Sequence, residues 1–301
     1  MRREIRFAMA GWIVLVAASL GVAEAGGAWV PAPGEGTLQV GGSRKTADTS
    51  WNADGDSVQN SGRFENHDFR YGYLQGEVGV VRRLSFNFLL TYLYGLEGPD
   101  GELEKNAGPS DSWLSLKYAV RQGDLPMAVE LEVRTPVLYD IDGPYSRNLY
   151  DEDGNFLGHS PEWRGLLKHD VTLSYLVSRS RYPARGWWSA AAGYTWRQGA
   201  PADQLPIEGE IGWGIPWRGS YVKLAGLAVL SLGNESEREP DDRFGAGPGF
   251  NDASMARLGV SLLTPLDGAG RWMLEIGYNQ WVWGESARQY EEPFLSLGWS
   301  L

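Results

Sequence analysis

The 301-residue chain contains no cysteine. Disulfides, thiolate nucleophiles and thiolate metal sites are therefore excluded. Beyond residue 25 no stretch holds the ~18 consecutive apolar residues that a membrane-spanning helix needs, and mean hydropathy is −0.33. A helical membrane protein is excluded on both counts. Basic residues are outnumbered, 27 against 38 acidic, for a net charge of −11. So acidic a chain is a poor ligand for nucleic acid or anionic lipid. No phosphate-binding glycine loop and no His-Glu-x-x-His zinc motif is found. What is abundant is glycine (40), tryptophan (14) and tyrosine (14). That mixture suits tightly turned β-structure with aromatic belts, in which only alternate residues have to be apolar.

Residues 1–25 read as a cleaved signal peptide. Arg2, Arg3 and Arg6 form a basic start, Phe7 to Val22 is apolar and uncharged, and Ala23-Glu24-Ala25 fits the small-x-small cleavage pattern. Residues 26–301 are then the mature chain. Losing three Arg and two Glu leaves it 24 basic and 36 acidic residues, a net of −12.

Leu84 to Leu96 sets the pattern for the rest. Leu84, Phe86, Phe88, Leu90, Tyr92, Tyr94 and Leu96 share one parity, with Ser85, Asn87, Thr91 and Gly95 on the other. Period two marks a strand with one apolar face. Its length exceeds the ~5–6 residues usual in soluble strands and covers the ~9–11 of a tilted membrane strand. The alternation recurs at Met127–Val133, Val171–Val177, Ile207–Ile215 and Trp272–Tyr278, where Ile211 falls on the apolar face. Twelve strands are expected, near 36–45, 65–80, 83–96, 111–121, 126–138, 167–178, 186–197, 205–215, 220–232, 253–263, 271–282 and 291–301. Parity is ambiguous in the second and ninth, and a bulge can switch faces in the former. An even count suits a bacterial up-and-down antiparallel β-barrel.

Connections near 81–82, 122–125, 179–185, 216–219 and 264–270 are short. Those near 46–64, 97–110, 139–166, 233–252 and 283–290 are mostly longer, with 198–204 the short exception. Outer-membrane barrels carry short periplasmic turns and longer external loops, which puts both termini in the periplasm. Trp187, Trp188, Trp217, Tyr221, Trp272 and Trp299 are expected in one aromatic girdle, and Tyr92, Tyr94, Tyr139, Trp196, Trp281 and Trp283 in the other. The chain ends on an alternating strand that has to pair with the first to remove both edges.

Chemistry concentrates on the inward parity. Glu130, Glu132, Arg134, Lys168, Asp170, Arg197, Glu208, Glu210, Arg257 and Glu275 are the candidate lumen lining, with Lys117 beside them and Glu77 if its parity is read inward. Such residues either line a small aqueous pore or pair across a plugged lumen. Twelve strands lie between sealed eight-strand barrels and open sixteen-strand porins, so both readings stand. The loop acids Asp140, Asp142, Asp151, Glu152 and Asp153, and Glu235, Glu237, Glu239, Asp241 and Asp242, read as solvated loops, or as bridges to lipopolysaccharide or calcium. No enzyme activity and no cofactor is expected. His159-Ser160 and His169-Asp170 build no recognisable catalytic site, and the His-x-Ser-Asn-Gly signature of the outer-membrane phospholipases is absent.

The mature chain resembles a group of small outer-membrane barrels, the meta-pathway phenol-degradation-like and XagA-like proteins. The resemblance rests on Ala28-Trp29, Gly34-Glu35-Gly36, Trp51 to Asp56, Glu77-Val78-Gly79, Arg134-Thr135-Pro136, Gly193-Tyr194, Pro201-Ala202-Asp203, Gly277-Tyr278-Asn279 and the last strand. It implies passive uptake of small hydrophobic or aromatic solutes, or a part in surface-glycan export and biofilm formation. The implied partners are outer-membrane lipid, lipopolysaccharide and the barrel-insertion machinery. The chain lacks the long N-terminal plug of the larger fatty-acid channels: about ten residues, Gly26 to Glu35, precede the first strand.

Overall fold

The computed structural model describes residues 27–59, 67–97, 104–135, 147–150, 156–160, 169–181, 185–198, 202–234 and 253–301. The wall is built from β1 (Gly36–Ala47), β4 (His67–Val81), β5 (Leu84–Glu97), β7 (Ser112–Arg121), β8 (Met127–Thr135), β11 (Asp170–Ser180), β12 (Gly186–Arg197), β13 (Gln204–Gly214), β14 (Tyr221–Ser231), β15 (Ser254–Pro265), β16 (Trp272–Glu285) and β18 (Glu291–Ser300). Each pairs antiparallel with the next, and β1 pairs with β18, Thr37 opposite Ser300 and Leu38 opposite Trp299. The result is a closed twelve-strand barrel. Closure matters in lipid because an unpaired backbone group there costs several kcal/mol.

β6 (Glu104–Pro109) continues β7 along β5. The pairing slips by one residue between Tyr92↔Pro109 and Leu89↔Trp113, a bulge at Ser110-Asp111. β4 keeps one register from Asp68 to Gly79 and shifts only at its turn end, between Gly79 and Val81, so no bulge switches faces within the strand. At the long-loop end β2 (Thr49–Trp51), β3 (Ser57–Gln59) and β17 (Ala287–Arg288) form a small second sheet, and β9 (Arg147–Tyr150) pairs with β10 (Phe156–Ser160). The period-two pattern did not announce these short pieces, because two to five residues are too few to register an alternation.

The two faces of the wall differ as the alternation requires. On β7, Leu114, Leu116, Tyr118 and Val120 are exposed, whereas Ser112, Ser115, Lys117 and Ala119 are buried. Leu116, Leu131 and Leu173 lie in one row across β7, β8 and β11, exposed by 49%, 46% and 55%. Large apolar side chains this exposed are the signature of a lipid-facing surface. Ile211 departs from the expectation: it is only 7% exposed. It stands opposite Trp188 and Leu224, bulky partners on both flanking strands that cover it.

The girdles also need correction. Trp272 and Trp299 stack at 5.7 Å on the outer surface at the short-turn end, and Trp217, Trp196 and Tyr92 are exposed as expected. Trp187 instead turns inward and donates its indole N–H to Glu210 (2.5 Å), with Tyr221 edge-on to its ring at 5.3 Å. Trp281 is buried with Trp51 and Ala287. Parity decides here: a strand-end aromatic on the inner face satisfies its N–H inside the barrel instead of at a lipid headgroup. Tyr139 lies outside the described residues.

Candidate functional site

The inner wall is a set of polar clusters held along the wall, each joining neighbouring strands. One is a ladder of alternating charge near the long-loop end. Asp111, at the bulge, accepts two contacts from Arg134: Nε at 2.7 Å and a terminal guanidinium nitrogen at 2.5 Å. Arg134 stands in register with Asp170 on β11, and Asp170 with Arg197 on β12. Arg197 Nε lies 3.5 Å from Asp170 Oδ2. The Arg134 guanidinium also sits over the Trp113 ring at 5.0 Å. Charges this buried are tolerable only when paired, and a bulge that points Asp111 inward supplies the first rung.

A second cluster centres on Glu292 of β18. It accepts hydrogen bonds from Ser43 (2.8 Å) and Asn279 (3.1 Å), and pairs with Lys45 and Arg257 at 3.6 Å each. Lys45 faces the rings of Tyr71 and Trp281 at 4.8 and 5.3 Å, and Arg257 lies over Trp281 at 5.4 Å. Nearer the short turns, Glu275 accepts from Ser261 (2.6 Å) and pairs with Lys223 (2.7 Å). There too Glu77 faces inward, pairing with Lys117 (2.8 Å) and accepting from Ser85 (2.7 Å).

The remaining acids differ. Glu130 accepts from Asn87 (2.7 Å) and from Ser115, both neutral. Glu132 and Glu208 join it on the same inward parity of β8 and β13, with Glu210 held by Trp187. Between these strands most inner residues of β11 and β12 are small, Thr172, Ser174, Ala191 and Gly193, with Leu176 the bulky exception. Four carboxylates thus bracket an arc of small side chains, while the arginines are drawn to the ladder and to Glu292. Among the described residues no group of three or more His, Cys, Asp and Glu is arranged to hold a metal ion.

Of the candidate lining, Glu130, Glu132, Arg134, Asp170, Arg197, Glu208, Glu210, Arg257 and Glu275 all lie on the inner face. Lys168, both acidic loop clusters and the side chain of His159 lie outside the described residues. Sequence reasoning did not single out Lys45, Asp111, Lys223 and Glu292. The signal for Glu292 was available: it shares the parity of Ser296 and Gly298, opposite Leu295 and Leu297. Lys223 was hidden by the ambiguous parity of β14, and Asp111 by its bulge.

A closed twelve-strand antiparallel barrel with an apolar exterior and a polar interior has the architecture of outer-membrane β-barrel proteins. No protein-family model matches the chain, and no curated protein matches it. Among solved structures, the chain is similar to an outer-membrane channel from Pseudomonas putida F1. The TM-score is 0.62 at 14% identity, over 93% of this chain and 100% of that one. The β domain of the Bordetella autotransporter BrkA (TM-score 0.49, 12% identity, 89% of this chain and 100% of that one) and the KdgM porin (0.46, 4%, 87% and 99%) also align. At these identities the likeness is one of fold.

Proposed function

We propose that the protein is a passive outer-membrane channel for small solutes. The observation that carries this reading is the wall-bound pairing of the inner charges. The ion pairs Glu77–Lys117, Asp111–Arg134, Asp170–Arg197, Glu275–Lys223 and Glu292–Arg257 each join strands that are close around the ring, and Glu130 is held by neutral donors from β5 and β7. A sealed barrel would instead bridge its interior with opposed charges, since burying unpaired carboxylates is costly. The similar Pseudomonas putida structure is described as an outer membrane channel, in keeping with this reading. Residues 1–25 are a signal peptide, the short turns and both termini are periplasmic, and the outer wall contacts lipid and lipopolysaccharide.

The resemblance to the phenol-degradation-like group makes small hydrophobic or aromatic solutes the first candidates. The test is single-channel conductance of the refolded protein in a planar bilayer, repeated with Glu130→Gln and Glu132→Gln together. Stable steps with a cation preference that falls in the double variant support the reading. Silence from folded protein would shift it to a non-conducting accessory barrel for surface glycan.

A further inference from the structure

We propose that residues 27–35 form a strap that crosses the lumen at the short-turn end and restricts the pore. This rests on the channel reading. The segment is bonded to the wall at both of its ends. At one end Gly34 donates its amide to the Gly79 carbonyl and Gly79 donates to the Glu35 carbonyl, each at 2.9 Å, with Pro33 bridged to Gly79. At the other end the Ala28 amide donates to Ser178 Oγ (2.7 Å), and Lys117 Nζ donates to the Gly27 carbonyl (3.1 Å). Ala28 packs against Ala128, Leu176 and Ala191. Trp29 shares a recess with Trp187 and Tyr221. Gly79 is on β4 and Ala191 on β12, five places apart in a ring of twelve. A chain tied at both points spans the opening instead of following the rim.

The wall is shaped to receive it. A Cβ at Gly79 would meet the Ala32 carbonyl oxygen at 2.2 Å and that of Pro31 at 2.6 Å. Gly27 holds φ +67°, and a Cβ there would meet the Trp29 ring at 2.5 Å, so it needs glycine for both backbone and space. Lys117 is 1% exposed, and its ammonium is divided between Glu77 and the strap carbonyl. Full burial of a lysine is rare without such partners. About ten residues thus do locally what a larger plug domain does in wider barrels.

Gly79→Val is the test substitution, because its side chain would occupy the space of the strap carbonyls while sparing the strand's own ladder. It is examined in two ways, with folding checked by circular dichroism. In the first, Ala28→Cys is introduced as the lone thiol of a cysteine-free chain and its reaction with a membrane-impermeant maleimide is timed. Slow labelling, accelerated several-fold when Gly79→Val is added, supports a seated strap. Labelling at the rate of an exposed thiol without Gly79→Val, or no acceleration with it, overturns the proposal. In the second, single-channel conductance is compared. A several-fold rise in Gly79→Val supports occlusion by the strap. Equal, nonzero conductance in both proteins overturns the strap but leaves the channel reading intact. Silence from both folded proteins overturns the channel reading and the strap with it.

Discussion

Replacing Leu131 with arginine probes the outer wall at its most informative point. Leu131 is the central residue of the nine in β8. At ~3.4 Å per residue and a tilt of ~40°, it stands ~10 Å in height from either end of that strand. In an apolar band ~25 Å tall this is close to the midplane. Its neighbours in the row, Leu116 and Leu173, are apolar and exposed, so no charged or acceptor side chain in that row is at hand to receive a guanidinium. The expected cost is ~2–4 kcal/mol, or roughly 30- to 700-fold in the folding equilibrium at 1.4 kcal/mol per decade. Val120→Arg is the depth control. It lies at the short-turn end of β7, equally exposed, and should cost ~0–1 kcal/mol near the interface. The assay is urea unfolding of protein refolded into phospholipid vesicles, followed by tryptophan fluorescence. Equal losses at the two positions, or no loss at Leu131, would refute the assignment of this face to lipid.

Three further outcomes follow from the inner wall and the rim. Lys117→Met leaves Glu77 facing inward without its cation, and breaking a buried pair costs ~3–5 kcal/mol. Because Glu77 keeps 18% exposure, the lower end is expected, and adding Glu77→Gln should restore part of the loss in the same unfolding assay. Arg83, in the two-residue turn between β4 and β5, holds φ 72°. A left-handed conformation costs a non-glycine residue ~1–2 kcal/mol, and glycine carries an entropic cost of its own. Arg83→Gly should therefore raise the unfolding midpoint slightly, and a lowered midpoint would count against strain at that turn. At the rim, partial burial raises the Asp203 pKa, but the Tyr194 hydroxyl, the Arg197 amide and Asn234 outweigh it and hold the carboxyl below its ordinary 3.8. A depressed carboxylate stabilises above its unfolded pKa and loses that contribution as pH falls through the folded one. The contacts of Asp203 with Tyr194, Arg197 and Asn234 should hold down to about pH 4 and loosen below it. Trp196 fluorescence reads this, and Asp203→Asn should remove the acid limb.

Strands were far more legible in the sequence than the lumen was. Alternation over ten or more residues specifies both a strand and its facing, because a one-residue slip would turn every apolar side chain to the wrong side. That is why the twelve expected segments agree with the observed strands to within a few residues, β12 at both of its ends. Facing, however, says nothing about which inward charges meet. Arg134 pairs with Asp111 because a one-residue bulge re-aims that aspartate, and bulges leave little trace in periodicity. Trp187 and Trp281 look like girdle residues by their place in the chain and point inward by parity. The strap was the least visible feature. The residues ahead of the first strand show no pattern, and it is the bonds of 27–35 to Gly79, Ser178 and Lys117 and the tight fit of Gly79 against Ala32 that reveal where they go.

A channel of this kind needs one wall with a dry side and a wet side. The absence of native cysteine allows a direct measurement on adjacent residues of β8: Leu131→Cys and Glu132→Cys, each as the only thiol, in protein folded into closed vesicles and exposed to a small membrane-impermeant thiol reagent. Glu132→Cys is expected to react from the aqueous lumen while Leu131→Cys, facing lipid, does not. Reaction at Leu131→Cys with protection at Glu132→Cys would contradict it.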